Sequence, residues 1–172
     1  MIFNNPHKIQ IFDSFLSKFG GQIDALWPQV KNLKFQVIDT NNWSPILSDN
    51  FPNYTPEKVD DTPFYTFLNF HTGPYNAFHF IGTNDEVASA LNMSTDEMYA
   101  LIMHEIGHAI AYVDAGCKSI WSTDISEEFF PDDCAKAIGL GNEIKSVLDS
   151  MSKLPLYSAD KQNTFITRRN RL

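Results

Sequence analysis

Two histidines and a glutamate lie close together in the segment His104-Glu105-Ile106-Gly107-His108. On a helix, His104 and His108 would be about 40° apart around the axis and about 6 Å apart along it, so both imidazoles would project from one face. Two such nitrogens can bind a single zinc ion at about 2.0–2.1 Å. Glu105 lies beside the first ligand, where it can act as general base toward a water molecule held by the metal. The spacing therefore predicts a zinc site with a catalytic base.

The residues around this motif predict a helix over residues 94–115. Ser94 and Glu97 are spaced for a capping box, in which each side chain accepts a hydrogen bond from the other residue's backbone N–H. Apolar residues recur at helical spacing as far as Val113, and Gly116 is a typical residue to end a helix. The alternative to a metal site is a pair of core histidines held by hydrogen bonds, because buried imidazoles need polar partners.

A third protein ligand must come from another segment, because a catalytic zinc ion normally has three protein ligands and one water. The acidic run Glu127, Glu128, Asp132 and Asp133 lies on a predicted helix over residues 126–140. Acidic residues are also favoured at helix starts without any metal, which is the alternative explanation. We expect one carboxylate of this run to complete the site.

Residues 98–109 resemble the active-site helix of the gluzincin metallopeptidases, in particular the branch of the CAAX-prenyl endopeptidases and their small soluble relatives. That branch has a second motif, E-x-x-A-D-x-x-A, which residues 128–135 match except that Pro131 replaces the first alanine. The resemblance implies that Glu128 is the third zinc ligand. It also implies that Asp132 is the carboxylate that orients a ligand histidine.

Pro131 is the departure from the family motif that bears on the third ligand. Inside a helix, proline removes a backbone hydrogen bond and tends to kink the chain. If the helix begins only at Pro131, Glu128 lies in the preceding turn. Glu127 is then the first alternative metal ligand and Asp132 the second.

The remaining pattern predicts an α+β fold. Residues 8–19 have helical spacing that ends at Gly20-Gly21, and residues 39–63 have the composition of a long loop or insertion. Strands are predicted over residues 33–38, 64–70 and 76–81, with the last two forming an antiparallel hairpin around the turn at 71–74. The length of the chain predicts a single domain over residues 1–172. The resemblance, which covers about residues 74–140, implies that this domain is zincin-like, with a small antiparallel or mixed sheet and with residues 74–78 in a substrate-binding edge strand.

Composition restricts the partners and the compartment. The chain has 172 residues, 43% of them hydrophobic, which is enough for one domain with a real core. A formal charge of −8 argues against nucleic acid and against anionic lipid as partners. No leader or membrane-spanning stretch is visible, and Cys117 and Cys134 form no CxxC pair. We therefore expect a cytoplasmic protein without a disulfide framework.

These features together predict a zinc-dependent metallopeptidase, a hydrolase that uses Glu105 to cleave a peptide or protein substrate. Tyr157, Arg168 and Arg169 are candidate donors to the oxyanion, although such residues are usually packing or surface groups. His71 and His79 are alternative metal ligands, although histidines at such positions are usually ordinary strand or turn residues. Two other functions stay open: a non-catalytic zinc-binding interaction module, and a narrow regulatory protease that acts on one protein.

Overall fold

The computed structural model describes residues 1–6, 8–38, 64–68, 78–83, 85–116 and 124–172. These residues form two compact units, an N-terminal unit (Met1–Ala90) and a C-terminal unit (Leu91–Leu172). All the described strands belong to the N-terminal unit, and the described elements of the C-terminal unit are helical. The chain is therefore a mixed α+β protein, as predicted. The expected single domain over residues 1–172 stays a prediction.

A small sheet organises the N-terminal unit. Its elements are, in chain order, β1 (Ile2–Asn4), α1 (Gln10–Leu26), a 3-10 helix (Pro28–Val30), β2 (Lys34–Ile38), β3 (Phe64–Leu68), β4 (Phe78–Thr83) and α2 (Asp85–Ala90). The strand order is β1-β2-β4-β3, in which β1, β2 and β4 run parallel and β3 runs antiparallel to β4. The predicted hairpin pairing of β3 with β4 is confirmed. The other two pairs are parallel, so the antiparallel arrangement is wrong for them. For β1 and β2 the reason is that α1 connects the strands, and a helical crossover brings two strands parallel.

Helix α1 continues past the point where the sequence pattern predicts its end. Gly20 and Gly21 lie inside the helix, which ends only at Leu26. Each glycine costs about 1 kcal/mol relative to alanine in a helix interior. Burial of Phe19 and Ile23, four residues apart on the same face, offsets this cost because each apolar side chain contributes about 1.5–3 kcal/mol when fully buried.

Several predicted features lie outside the described residues. These are the loop at 39–63, the turn at 71–74, the ends of two strands at 69–70 and 76–77, and most of the expected edge strand at 74–78.

The C-terminal unit is built from four α-helices and one 3-10 helix among the described residues. They are α3 (Thr95–Asp114), a 3-10 helix (Ile125–Glu128), α4 (Phe129–Ala137), α5 (Gly141–Met151) and α6 (Ala159–Arg171). Helix α3 packs against α4 and α5, and α5 packs against α6. The buried side chains of this unit include Ile102, Ile106, Ile110, Ile144 and Phe165. The predicted helix over 94–115 is confirmed, and the segment predicted as one helix over 126–140 is a 3-10 helix followed by α4.

Candidate metal centre

His104 and His108 project from the same face of α3. The helix begins with the predicted capping box, since Glu97 N–H donates to Ser94 Oγ at 3.3 Å and Ser94 N–H donates to Glu97 Oε2 at 2.7 Å. Ordinary helical geometry then carries the two imidazoles to one place, where their ring centroids are 4.9 Å apart and the rings are perpendicular. His104 is buried, while His108 keeps 26% of its side-chain surface exposed. The pair is therefore open to solvent on the side of His108.

Glu128 is the carboxylate that the fold brings to both histidines. It lies at the junction of the 3-10 helix and α4, with Oε2 3.2 Å from His104 Nε2 and Oε1 3.7 Å from His108 Nε2. One ligand atom from each of the three residues falls within a group no wider than 4.8 Å. Two ligand atoms of a tetrahedral zinc ion are about 3.3 Å apart when each zinc–ligand distance is about 2.0–2.1 Å. The spacing of the three side chains is close to what a zinc ion requires.

Pro131 does not move Glu128 away from the histidines. It is the third residue of α4, in the first turn, where a backbone N–H has no partner within the helix and proline costs little. Pro131 also packs directly on Gly107 of α3, since a Cβ built on Gly107 would lie only 2.6 Å from Pro131 Cα. The close approach of these two residues brings α4 near enough for Glu128 to reach the histidines.

Asp132 lies behind His104 as the resemblance implies. Its carboxylate is completely buried, and Oδ1 is 2.9 Å from His104 Nδ1. A carboxylate on one ring nitrogen fixes the orientation of the imidazole and directs the other nitrogen, here Nε2, toward Glu128. Glu127, the first alternative ligand, does not join the three-residue group that the described residues form.

Arg168 is the residue of this site that sequence reasoning did not place. It comes from the last turns of α6 and is 6% exposed. Its Nε and Nη2 donate to the two oxygens of Asp132 at 2.9 and 2.7 Å, and Nη1 is 2.9 Å from Glu128 Oε2. All three guanidinium nitrogens are therefore used in holding carboxylates, so the proposed role as an oxyanion donor finds no support in this arrangement.

The charges of the cluster favour the protonation states of Glu128 and His108 that can bind a metal ion. Burial raises the pKa of Glu128, but the hydrogen bond with His104 and the charges of His104 and Arg168 outweigh it and hold the pKa well below its usual range. Burial and the neighbouring His104 charge lower the pKa of His108 to about 4. At neutral pH, Glu128 is thus ionised and His108 is neutral, as metal ligands must be.

His104 differs because it binds two carboxylates. Burial and the charge of Arg168 lower its pKa, yet the hydrogen bonds with Asp132 and Glu128 prevail and raise the pKa to about 9. The two carboxylates thus favour the protonated form of His104. A metal ion would have to displace that proton, as metal binding to histidine generally does.

Tyr157 and Arg169, the other candidates in the C-terminal unit, contact side chains outside the ligand group. Tyr157 is buried edge-to-face against Phe165 with ring centroids 5.0 Å apart, and Arg169 pairs with Asp149 of α5. His79 is buried in β4 of the N-terminal unit, and His71 lies outside the described residues.

Glu105 occupies the position next to His104 on α3 that the motif requires. Its side chain is partly exposed. Its negative charge interacts with Arg168 and helps to raise the pKa of that guanidinium. The catalytic base expected from the sequence therefore belongs to the electrostatic environment of the cluster.

The chain matches no protein-family model, no curated protein and no solved structure with which it was compared. Among the described residues, no helix has both the length and the apolar character needed to cross a membrane.

Proposed function

We propose that this protein is a zinc-dependent metallopeptidase that hydrolyses peptide bonds, with its active site in the C-terminal unit. One observation carries the proposal: ligand atoms of His104, His108 and Glu128 lie together within 4.8 Å, and Glu105 is adjacent to the first of them on the same helix. The pairing of an HExxH helix with a glutamate-bearing helix is also what a zincin-like arrangement requires.

The donor set fits zinc better than the alternatives. Two imidazoles and one carboxylate are typical ligands of catalytic zinc, whereas calcium and magnesium favour sites made of oxygen atoms alone. A bound zinc ion would lower the pKa of a coordinated water toward about 7 and polarise a carbonyl group. The exposed parts of His108 and Glu128, 26% and 33% of their side chains, leave a side of the site from which a substrate can approach.

Glu105 is the residue assigned to proton transfer. As an ionised carboxylate beside the ligands, it would accept a proton from the attacking water and later deliver it to the leaving amine. Such a base has no use in a purely structural zinc site, where four protein ligands close the coordination shell. Among the residues that the structure describes, the group has three ligand residues, which together with Glu105 favours catalysis over a binding module.

The test compares metal content and peptide cleavage for the native chain and for Glu105→Gln. Both should bind about one zinc ion per chain, and the variant should cleave a peptide library at least about 10²-fold more slowly. Glu127→Gln serves as the matched control, because it removes a neighbouring acid outside the ligand group and should change neither quantity.

Three other results would redirect the proposal. If neither the native chain nor Glu105→Gln binds zinc, the metal site is wrong. If both bind zinc and neither cleaves the library, a non-catalytic zinc module or a narrow regulatory protease is the better description. Cleavage that is equally fast in both proteins would remove Glu105 from the mechanism.

A further inference from the structure

A buried arginine needs its charge compensated, and Arg168 finds that compensation within the metal cluster. Leaving an unpaired charge in the interior is strongly unfavourable, so a buried guanidinium is retained only with close partners. The partners of Arg168 are Asp132, 36 residues earlier in the chain, and Glu128. The C-terminal helix α6 is thereby connected to the same carboxylates that serve the histidines.

The contact with Asp132 has the two-pronged geometry that only arginine provides. Nε donates to Oδ2 at 2.9 Å and Nη2 donates to Oδ1 at 2.7 Å. Two parallel bonds fix the plane of the carboxylate as well as its position. Because the same Oδ1 is 2.9 Å from His104 Nδ1, the orientation of the histidine depends on that plane.

The contact with Glu128 acts on a ligand directly. Nη1 lies 2.9 Å from Oε2, while Oε1 faces His108 at 3.7 Å. One side chain therefore holds one proposed ligand itself and a second through Asp132. Nη2 also lies 3.3 and 3.4 Å from Nδ1 and Nε2 of His104, so Arg168 contacts the first proposed ligand as well.

From this geometry we infer that Arg168 is a positioning residue of the metal centre, which orients Glu128 and Asp132 so that zinc affinity depends on helix α6. The inference rests on the metal site of the proposed function, but it does not require that the protein cleaves peptides. Partners of ligand residues commonly change metal affinity by about 10- to 100-fold when they are removed.

Arg171 offers a matched control on the same helix. It forms a forked pair with Asp133 of α4, the neighbour of Asp132, but Asp133 lies outside the ligand group and both side chains are partly exposed. Replacement of Arg171 removes the same charge from the same helix without touching a proposed ligand. Exposed pairs of this kind contribute little to stability.

The experiment titrates zinc and cobalt into the full chain and into Arg168→Gln, Arg168→Lys and Arg171→Gln. We expect about 10- to 100-fold weaker binding for Arg168→Gln and no more than about a 3-fold change for Arg171→Gln. Lysine keeps the charge but lacks the fork, so Arg168→Lys should recover little of the affinity and should alter the visible spectrum of bound cobalt. Native affinity in either Arg168 variant would overturn the inference.

A second comparison guards against loss of folding, since Arg168→Gln leaves Asp132 buried with less compensation. Asp132→Asn removes that charge, and the double variant Asp132→Asn/Arg168→Gln is then compared with Asp132→Asn alone. A further loss of zinc affinity in the double variant supports the contact with Glu128. If the single and the double variant bind zinc equally well, Arg168 acts only through Asp132, and its direct role in orienting Glu128 is overturned.

Peptide cleavage is measured separately on the native chain. If that chain binds metal but cleaves nothing, the proposed peptidase function fails while the comparison of affinities still decides the role of Arg168. If the native chain binds no metal, both proposals fall.

Discussion

Replacement of Gly107 by alanine tests whether the contact between α3 and α4 sets the position of the third ligand. Gly107 is the fourth residue of the HExxH segment, and its backbone lies against Pro131. A Cβ at this position would be 2.6 Å from Pro131 Cα and 3.0 Å from Pro131 Cβ. Backbone and ring atoms cannot rotate out of the way, so the two helices themselves must separate.

The size of the displacement follows from these distances. Ordinary van der Waals contact begins at 3.4 Å, so α4 has to withdraw by about 1 Å. Alanine gains about 1 kcal/mol in helix propensity over glycine, but overpacking a well-packed contact costs about 1–3 kcal/mol. The net result should be a loss of about 1 kcal/mol in the free energy of unfolding. Glu128 precedes Pro131 by three residues and should move with it, which opens the distances of 3.2 and 3.7 Å to the histidines.

Zinc affinity should therefore fall more clearly than stability. We expect at least about 10-fold weaker zinc binding for Gly107→Ala, measured by competition with a chromogenic chelator, beside urea unfolding of the metal-free chain. Gly21→Ala in α1 is the matched control. Apart from the backbone of α1 and the two chain neighbours, no atom of the described residues lies within 4 Å of a Cβ at Gly21. Alanine there should therefore raise the unfolding free energy by about 0.5–1 kcal/mol and leave zinc binding unchanged. If Gly107→Ala binds zinc as tightly as the native chain, the contact with Pro131 does not position Glu128.

Two further predictions concern elements that support the units. Ser94→Ala removes the oxygen that accepts from Glu97 N–H and should lower the unfolding free energy by about 1 kcal/mol in urea, whereas Ser94→Thr should lose little; equal midpoints for all three proteins would contradict a stabilising capping box. Burial lowers the pKa of His79 from 6.5 to about 4, so the unfolded chain binds a proton below pH 6.5 that the folded chain does not. The stability of the folded chain is therefore unaffected by His79 above pH 6.5 and falls as the pH falls toward 4, by about 3 kcal/mol at most. Urea unfolding at several pH values should show this loss in the native chain and not in His79→Gln, and identical pH profiles would contradict it.

The part of the site that could be predicted from the sequence is the part that local geometry determines. The capping box and the histidine pair involve residues three or four positions apart on one helix, where spacing alone fixes which side chains share a face. The roles of Glu128 and Asp132 could be predicted only with the family resemblance as well. A run of acidic residues at a helix start is also explained by the helix dipole. Their proximity to His104 is a tertiary fact that no local rule supplies.

Arg168 is one of three candidate oxyanion donors in the sequence, but its contacts with Asp132 and Glu128 could not be predicted for a similar reason. Basic residues are favoured in the last turn of any helix, and α6 carries Arg168, Arg169 and Arg171 there. Nothing in the pattern distinguishes the buried member from its neighbours. Only the packing of α6 shows that Arg168 turns inward to Asp132 while the other two pair with more exposed acids.

Part of the strand pairing in the sheet also could not be predicted from local sequence patterns. Strand β1 is only three residues long, too short for its alternation to be recognised, and without it the crossover through α1 could not be seen. The hairpin of β3 and β4 was predictable because two apolar runs are separated by turn residues. Parallel pairing of β2 with β4 depends on contacts between segments 44 residues apart, such as Lys34 with Phe78, which sequence periodicity does not encode.

The position and the orientation of Glu128 have separate physical causes. The contact between Gly107 and Pro131 involves backbone and determines how closely α4 approaches α3, whereas Arg168 binds the carboxylate at the end of the side chain. A metal site needs both, since a ligand on a correctly placed helix can still rotate its oxygens away from the metal. Because neither contact lies within the HExxH segment alone, the motif is insufficient by itself. Zinc affinity in this protein should depend on three helices, although two of the three proposed ligands lie on one.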